Sequence, residues 1–256
     1  MKKLLIIGIA SLTLLFYSSV YAQTTVTIAS PTSEQHPFVF NDGSGLAEDI
    51  IDLLNETQNK YKFQHILLPT KRLYKNMIEG KLDGTTFNNI DWGWEKNKVK
   101  KSNDLIQDQD VFLSLKSQNI EESYFDNIGK VKTVGVLGYF YTFTGFNDDQ
   151  QLLKTKYNMA LVKSEAKVAD LLIKGRGKIG IMASTLLDFI KVNDNEKYNK
   201  LYISKRYDSK YTRHFLVYND SPLSVAELNN YFKKLNSEGK LKQAFSKYGL
   251  QTPRFN

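Results

Sequence analysis

Residues 69–87, PTKRLYKNMIEGKLDGTTF, constrain the fold of this chain more than any other stretch. Their apolar side chains recur at helical spacing, at Leu73, Met77 and Ile78. Thr70 is a candidate cap at the helix start, and Gly80 stands where a helix end commonly adopts left-handed backbone. A strand over 82–87 is predicted to follow. Because parallel strands of an open α/β sheet point their carboxyl ends at the ligand crevice, we expect the polar and aromatic residues after Phe87 to lie at a binding site.

Strands and helices alternate along the rest of the chain. Further strands are predicted over 25–30, 61–68, 110–116, 131–137, 159–163, 178–183 and 213–219. Helices are predicted around 46–54, 70–78, 95–101, 124–128, 148–157, 164–174, 224–235 and 239–248, and a further helix follows the strand over 178–183 and ends at residue 192. Ser224 and Glu227 have the spacing of a capping box. Such short strand–helix–strand units predict right-handed crossovers and a mainly parallel sheet. The pattern restarts at residue 131, which predicts a second lobe laid out like the first.

The first 22 residues are predicted to be a signal peptide. Lys2 and Lys3 precede an apolar run over 4–16, and Val-Tyr-Ala ending at Ala22 forms a small-x-small cleavage site. The apolar run is too short for a membrane span, so a retained anchor is the weaker alternative. The chain has no cysteine, which excludes disulfides and a lipidated cysteine. We therefore expect an exported, non-lipidated protein of the periplasm.

Composition narrows the functional classes further. The chain carries 35 basic and 27 acidic residues, a formal net charge of +8, but the basic residues are scattered and form no arginine-rich run. This dispersion and the expected compartment argue against nucleic-acid binding. The length after the signal segment is enough for one large α/β domain or two lobes of about a hundred residues each.

Five segments carry a resemblance to a known family. They read HPFVFNDGSGLAEDI, PTKRLYKNMIEGKLDG, VGVLGYFYTF, SEAKVADLLIKGRGKIGIMAS and LNSEGKLKQAFSKYG. In this order they resemble the family 3 extracytoplasmic solute-binding proteins, which are periplasmic receptors with the type II two-lobed fold. The resemblance implies an α/β fold of two Rossmann-like lobes, joined by two crossing strands and separated by a ligand cleft.

The resemblance also implies how the chain is divided. The signal peptide would occupy 1–22, the first lobe 23–112 together with 215–256, and the second lobe 113–214. The crossing strands would be those over 110–116 and 213–219. The implied partners are a small-molecule ligand and an inner-membrane ABC permease or sensor receptor, with a monomeric protein and no cofactor.

Two positions depart from the pattern of amino acid receptors in this family. Lys96 falls where the resemblance implies an arginine that grips the ligand carboxylate, and lysine lacks the planar fork of that side chain. Ala183 falls where an acid is expected to receive the ligand ammonium. We therefore expect a small polar or aromatic-stackable ligand rather than a standard α-amino acid.

The remaining candidate ligand-binding residues are aromatic or polar. They are Phe38, Glu48, Arg72, Asn88, Asp91, Trp92, Trp94, Tyr139, Phe140 and Tyr141. Several of them have an alternative role without a ligand. The aromatic residues could fill the core, Arg72 and Glu48 could be surface charges on helices, and Asp91 could form a surface ion pair with Lys96.

Sequence motifs for catalysis and metal binding are missing from the chain. Its three histidines, His36, His65 and His214, are far apart and accompany no cysteine, and no phosphate loop or nucleophile elbow is visible. A non-enzymatic protein is predicted. The alternative is a periplasmic enzyme of the same fold, similar to the cyclohexadienyl dehydratases, with Glu34 or Glu48 acting beside Lys96.

Overall fold

The computed structural model describes residues 22–32, 35–117 and 120–255. The predicted signal peptide therefore lies outside the described residues except for Ala22, and Glu34 lies outside them too. No helix in the described ranges has the length and apolar character needed to cross a membrane.

The first part of the chain supplies five strands and two helices. These are β1 (Thr24–Pro31), α1 (Leu46–Thr57), β2 (Tyr61–Leu68), α2 (Thr70–Ile78), β3 (Gly84–Asn88), β4 (Val99–Lys101) and β5 (Ile106–Leu115). In the middle part, 3₁₀ turns at Glu122–Asn127 and Thr142–Thr144 accompany β6 (Thr133–Val136), α3 (Gln150–Thr155), β7 (Met159–Val162), α4 (Ala166–Ile173), β8 (Ile179–Ala183) and α5 (Ser184–Asn193). The last part contains α6 (Asn195–Asn199), β9 (Leu201–Tyr218), α7 (Val225–Ser237) and α8 (Lys240–Lys247).

The strands form a mixed sheet in the order β2-β1-β3-β9-β5-β8-β6-β7, with β4 paired to β9. Strands β1, β2 and β3 are parallel at one end, and β6, β7 and β8 are parallel at the other. The long strands β5 and β9 pair antiparallel between these two groups, from Ile106 opposite Arg213 to Leu115 opposite Leu201. The sheet is continuous because β9 belongs to both halves.

Each half has its own apolar core on both faces of its parallel strands. In the first half, one cluster includes Ile28, Ile50 and Phe232, and the other includes Leu73, Met77 and Trp94. In the second half, one cluster includes Val134, Leu172 and Met182, and the other includes Phe125, Tyr141 and Ile181. Burial on both faces is typical of parallel strands covered by helices. The molecule is thus an α/β protein of two lobes that share two crossing strands, as the family resemblance implied.

The segment over 69–87 folds largely as predicted. Helix α2 buries Leu73 and Met77, and Gly80 has a left-handed φ of 68°. The predicted cap at Thr70 is wrong, because Pro69 holds the N-cap position and no side chain caps the helix. A Cβ on Gly80 would also lie 3.0 Å from the Tyr218 ring, so glycine is required there for space as well as for backbone conformation.

Three other predictions need correction. The predicted helix over 95–101 is a turn followed by β4, whose buried Val99 pairs with Tyr218 of β9. Tertiary pairing here overrides the weak helix preference of a charged sequence. The second crossing strand begins at Leu201 rather than at residue 213, and the first begins at Ile106 rather than at 110. Helix α6 was not predicted at all.

Candidate functional site

Four ionisable side chains are buried together where the crossing strands meet. Asp108 and Asp110 lie on β5, Arg213 lies on β9, and Glu165 precedes α4. Their exposed fractions are 2%, 8%, 5% and 8%, in that order. We call these four residues the hinge cluster. Burying charged groups costs several kcal/mol unless they are paired, so such a cluster is a candidate site.

Arg213 and Asp108 form the best-satisfied pair of the hinge cluster. Nε of Arg213 donates to Oδ2 of Asp108 at 2.8 Å, while its terminal nitrogens donate to the Phe87 carbonyl at 3.3 Å and the Tyr211 hydroxyl at 3.2 Å. Burial opposes the charge of the guanidinium, but the neighbouring Tyr211 and Asp108 outweigh it, so the pKa of Arg213 is raised. The charge of Arg213 is therefore engaged within the protein.

Asp108 also accepts hydrogen bonds from the first residues of α5. It accepts hydrogen bonds from the Ser184 hydroxyl at 2.9 Å and from the Thr185 amide at 3.2 Å and hydroxyl at 2.9 Å. An acid at a helix N-terminus satisfies amides that have no partner within the helix. This one carboxylate thus links a crossing strand to a helix of the second lobe and to Arg213.

Within the described part of the chain, the hydrogen-bond donors to the Asp110 carboxylate are hydroxyl groups. It accepts from Ser209 Oγ at 2.7 Å and from the Tyr211 hydroxyl at 2.9 Å. Burial raises the pKa of Asp110 to about 6; the Ser209 hydroxyl opposes this shift and the nearby charge of Asp108 adds to it. No basic side chain among the described residues forms an ion pair with Asp110.

The carboxyl group of Glu165 accepts fewer hydrogen bonds than that of Asp110. Among the described residues, its only hydrogen-bond donor is the amide of Ala183, 3.2 Å from Oε1. Burial and, to a smaller extent, the charge of Asp110 raise the pKa of Glu165 to about 8 against the opposing effect of Arg213. Ala183 is also the strand partner of Asp110, so the two carboxyl groups flank one residue of β8.

Aromatic rings surround the guanidinium of Arg213. Its Cζ lies 4.8 Å from the ring centre of Phe38 and 5.1 Å from those of Trp92 and Tyr211. Trp92 is 45% exposed and meets Tyr211 edge to face, which places an accessible ring beside the cluster. Tyr139 lies on the second-lobe side, where Glu165, Arg213 and Asp110 all influence its hydroxyl and burial raises its pKa.

Four of the predicted site residues lie at the hinge cluster. Phe38 and Trp92 contact Arg213, Tyr139 lies among the acids, and Ala183 donates to Glu165. Their role in binding stays a prediction. Glu165, which directly precedes α4, places a carboxylate beside the backbone of Ala183.

Other candidates on the first lobe lie in different surroundings. Trp94 is buried in the first core and donates from Nε1 to Asn88 Oδ1 at 2.8 Å. Lys96 pairs with Asp91 at 2.5 Å, and both side chains are about two-thirds exposed, at 66% and 68%. Arg72 is exposed on α2. The ion pair of Asp91 and Lys96 is the surface alternative that the sequence left open.

On the second lobe, the two remaining candidates differ in burial. Phe140 is 57% exposed. Tyr141 is 1% exposed, and its hydroxyl lies 2.5 Å from the amide of Val136. Tyr141 therefore packs in the second core, whereas its neighbour faces outward.

Glu48 belongs to a separate polar row in the first lobe. It hydrogen-bonds Nδ1 of His65 at 2.5 Å, and Nε2 of His65 lies 2.8 Å from Ser30 Oγ. A serine, histidine and carboxylate in this order have the connectivity of a nucleophilic triad. Ser30 is fully buried, however, and its hydroxyl also contacts Thr86, so a substrate has no path to it.

The sequence analysis missed Asp108, Asp110, Glu165 and Arg213. The available signal was the strand sequence IQDQDVFLSL, in which two acids alternate along a segment that is otherwise expected to be buried. Residues two apart in a strand share a face, so Asp108 and Asp110 point the same way. A charged residue in each of two predicted crossing strands would have marked this site.

Two hollows lie away from the hinge cluster, and the basic residues named here in their linings are already paired. One of about 250 Å³ is lined by Lys197 and Lys200, which pair with Asp170 and Glu196. Another of about 410 Å³ is lined by Phe125 and Arg206, and that arginine pairs with Asp126. Within the described ranges, no three metal-ligating side chains come together as a metal site.

Comparison with known proteins identifies the fold. A scan against protein-family models gave no match, and neither did a comparison with curated proteins. Solved structures do match. An ancestral amino acid-binding protein, described as a precursor of cyclohexadienyl dehydratase, is 16% identical, with 88% of this chain and 95% of that chain covered and a TM-score of 0.63.

Two further solved structures match the fold of this chain. The GluR0 ligand-binding core of Nostoc punctiforme, solved with L-glutamate, is 12% identical, with coverage of 87% and 98% and a TM-score of 0.66. The unliganded, open L-cystine receptor of Neisseria gonorrhoeae is 19% identical, with coverage of 91% and 96% and a TM-score of 0.60. This chain has the type II periplasmic-binding-protein fold. Identities this low establish the fold alone.

Proposed function

We propose that this protein is a periplasmic solute-binding protein that captures a small polar ligand by closing its lobes. The hinge cluster carries the proposal. Its four ionisable groups are buried at the junction of two separate cores, and accessible Trp92 and half-buried Tyr139 lie beside them. A cleft lined by aromatic rings and a few directed polar groups is the usual form of a small-molecule site.

The connections of the hinge cluster support closure. Asp108 on β5 holds the N-terminus of α5, while Arg213 on β9 holds the Phe87 carbonyl at the end of β3. Elements of both lobes are thus attached to the strands that would bend. A ligand that contacts both lobes binds the closed state more tightly than the open state, so its binding would favour closure.

The proposed partner is an ABC permease or a membrane sensor that reads the closed form. We further propose a monomer that binds without turning its ligand over. The ligand is proposed to differ from a standard α-amino acid, because Arg213 is engaged by Asp108 and Lys96 by Asp91. A ligand carboxylate at either base would therefore compete with a carboxylate that is already paired there.

Closure can be measured by distance labelling, since the chain has no native cysteine. Cysteines replacing the exposed Lys71 on α2 and Lys154 on α3 would carry spin labels on the two lobes. The control pair replaces Lys71 and the exposed Lys242 on α8, both in the first lobe.

Ligands would first be found by a thermal-shift screen of amines, amino acids, sugars, organic acids and cyclic metabolites. A compound that raises the melting temperature should shorten the 71–154 distance, leave the 71–242 distance unchanged and be recovered chemically intact. Binding without any change in the 71–154 distance would contradict closure. Conversion of the compound into a product would contradict a pure binding role.

A further inference from the structure

The hinge cluster has more buried acid than base. Arg213 carries one positive charge, and Asp108 holds it at 2.8 Å. Asp110 and Glu165 remain, and their partners are the hydroxyls of Ser209 and Tyr211 and the amide of Ala183. None of these neutral donors compensates a negative charge.

The two uncompensated carboxyl groups converge on one place. Ala183 pairs with Asp110 across β5 and β8 and donates its amide to Glu165. Glu165 is more than nine-tenths buried, and its Oε2 has no donor within the described residues. One carboxylate oxygen of Glu165 is thus left for a ligand group, next to the strand partner of Asp110.

The surrounding groups can complete a cation site. The titratable and charged groups that act on Asp110 and Glu165 are Asp108, Arg213, Tyr139, Tyr141 and Tyr211. Tyr139 and Tyr211 offer ring faces or hydroxyl oxygens, both of which stabilise an ammonium or guanidinium group. A second anionic group would instead be repelled by the surplus of carboxylates.

We infer that the ligand is an organic cation, an amine or guanidine, whose charged group binds between Asp110 and Glu165 and which needs no carboxylate. This inference rests on the proposed function, since it names the chemical class that the cleft takes. The positive charge of Arg213 is already compensated by Asp108, and each nitrogen of its guanidinium already donates one hydrogen bond, so a ligand carboxylate here would add to the surplus of acids.

Such binding should depend on pH. Because both carboxyl groups hold protons more tightly than usual, a cation must displace those protons before it can pair with the ionised forms. Affinity for the cation is therefore expected to rise between about pH 5.5 and about pH 8.5 and then to level off.

The test uses ligand pairs that differ in a carboxylate. Agmatine is compared with arginine and cadaverine with lysine, by thermal shift and calorimetry on the mature chain at about pH 8.5. At least one carboxylate-free cation should bind, and about tenfold or more tightly than its amino acid counterpart. Arginine or lysine binding as tightly as its counterpart, or no binding by either cation, would overturn the inference.

Carboxyl variants locate the cation. Glu165→Gln and Asp110→Asn should each weaken binding of that cation by about tenfold or more, and Glu165→Gln should flatten its pH dependence. Glu196→Gln is the matched control, because its side chain is 84% exposed on α6. Unchanged affinity in both cluster variants, with folding verified by their melting temperatures, would refute the assignment.

The proposed function is judged separately by neutral and anionic compounds in the same assay. If one of these closes the lobes while no cation binds, the cation inference fails and the solute-binding role stands. If a cation binds but the 71–154 distance does not change, the cation inference stands and the proposed closure of the lobes fails.

Discussion

Arg213 is the residue on which the hinge cluster depends most. It neutralises Asp108, which is 2% exposed and could not otherwise remain ionised without a large cost. Arg213→Met should therefore lower the free energy of unfolding by about 3–5 kcal/mol, measured by urea denaturation. Asp108→Asn combined with Arg213→Met should recover part of this loss, since the double variant leaves neither member of this ion pair charged and unpaired.

The comparison of single and double variants decides whether this pair acts as a unit. A loss below about 1 kcal/mol for Arg213→Met, or strictly additive effects of the two changes, would contradict a buried pair that the protein needs for folding.

Glu165 should make stability depend on pH. Its pKa is about 8 in the folded protein against 4.5 as the ordinary value, so between these values the folded state binds more protons than the unfolded state. Its stabilising contribution is complete below 4.5 and is lost as the pH rises through about 8. Glu165→Gln should gain stability relative to the parent across this window, by up to about 1.4 kcal/mol for each unit of pKa difference.

Urea unfolding of both proteins at a series of pH values measures this difference. Glu196→Gln should follow the parent at every pH, because its exposed carboxyl group lacks the burial that raises the pKa of Glu165. A stability difference between Glu165→Gln and the parent that stays constant with pH would show that Glu165 titrates normally.

At the residue scale, the sequence analysis named aromatic neighbours of the hinge cluster but none of its four charged members. Phe38, Trp92 and Tyr139 follow strands or lie in loops at strand ends, and such positions converge in an open α/β sheet. Arg213 was assigned to a strand, but its inward direction depends on Asp108, which is 105 positions away in the chain. Long-range pairing of that kind leaves no local pattern.

At the scale of elements, the capping box of α7 is a local signal that the structure confirms. The Ser224 hydroxyl accepts a hydrogen bond from the Glu227 amide at 3.2 Å, and the Glu227 carboxylate accepts one from the Ser224 amide at 3.3 Å. Ser224→Ala should therefore lower the free energy of unfolding by about 1 kcal/mol in urea denaturation. Ser237→Ala at the other end of α7 is the control and should change it by less than about 0.5 kcal/mol.

Elements with local signals were predicted well, and those defined by pairing were not. Helix α2 and strand β2 follow their hydrophobic periodicity closely. Strand β4 is short and charged, and only its pairing with β9 makes it a strand. The first half of β9 carries Lys205, Arg206 and Asp208, so its length is set by pairing with β5 rather than by its own sequence.

At the scale of the whole molecule, the lobes meet at a second place besides the crossing strands. Phe189 on α5 packs against both the first and the second core. Its ring centre lies 5.6 Å from that of Phe40 and 6.3 Å from that of Tyr248, both in the first lobe. Next to it, a Cβ on Gly249 would lie 2.7 Å from Val192 Cγ2, so this contact is closely packed.

Phe189→Ala tests whether this aromatic contact couples the lobes. Phe189 is only partly buried, so we expect the free energy of unfolding to fall by about 1–3 kcal/mol, less than for a fully buried phenylalanine. The distribution of distances between labels at 71 and 154 should also broaden without ligand, because one of two connections between the lobes has been weakened. Phe146→Ala is the matched control, since that ring is 64% exposed on the second lobe. If both variants match the parent in stability and in label distances, then the crossing strands alone set the arrangement of the lobes.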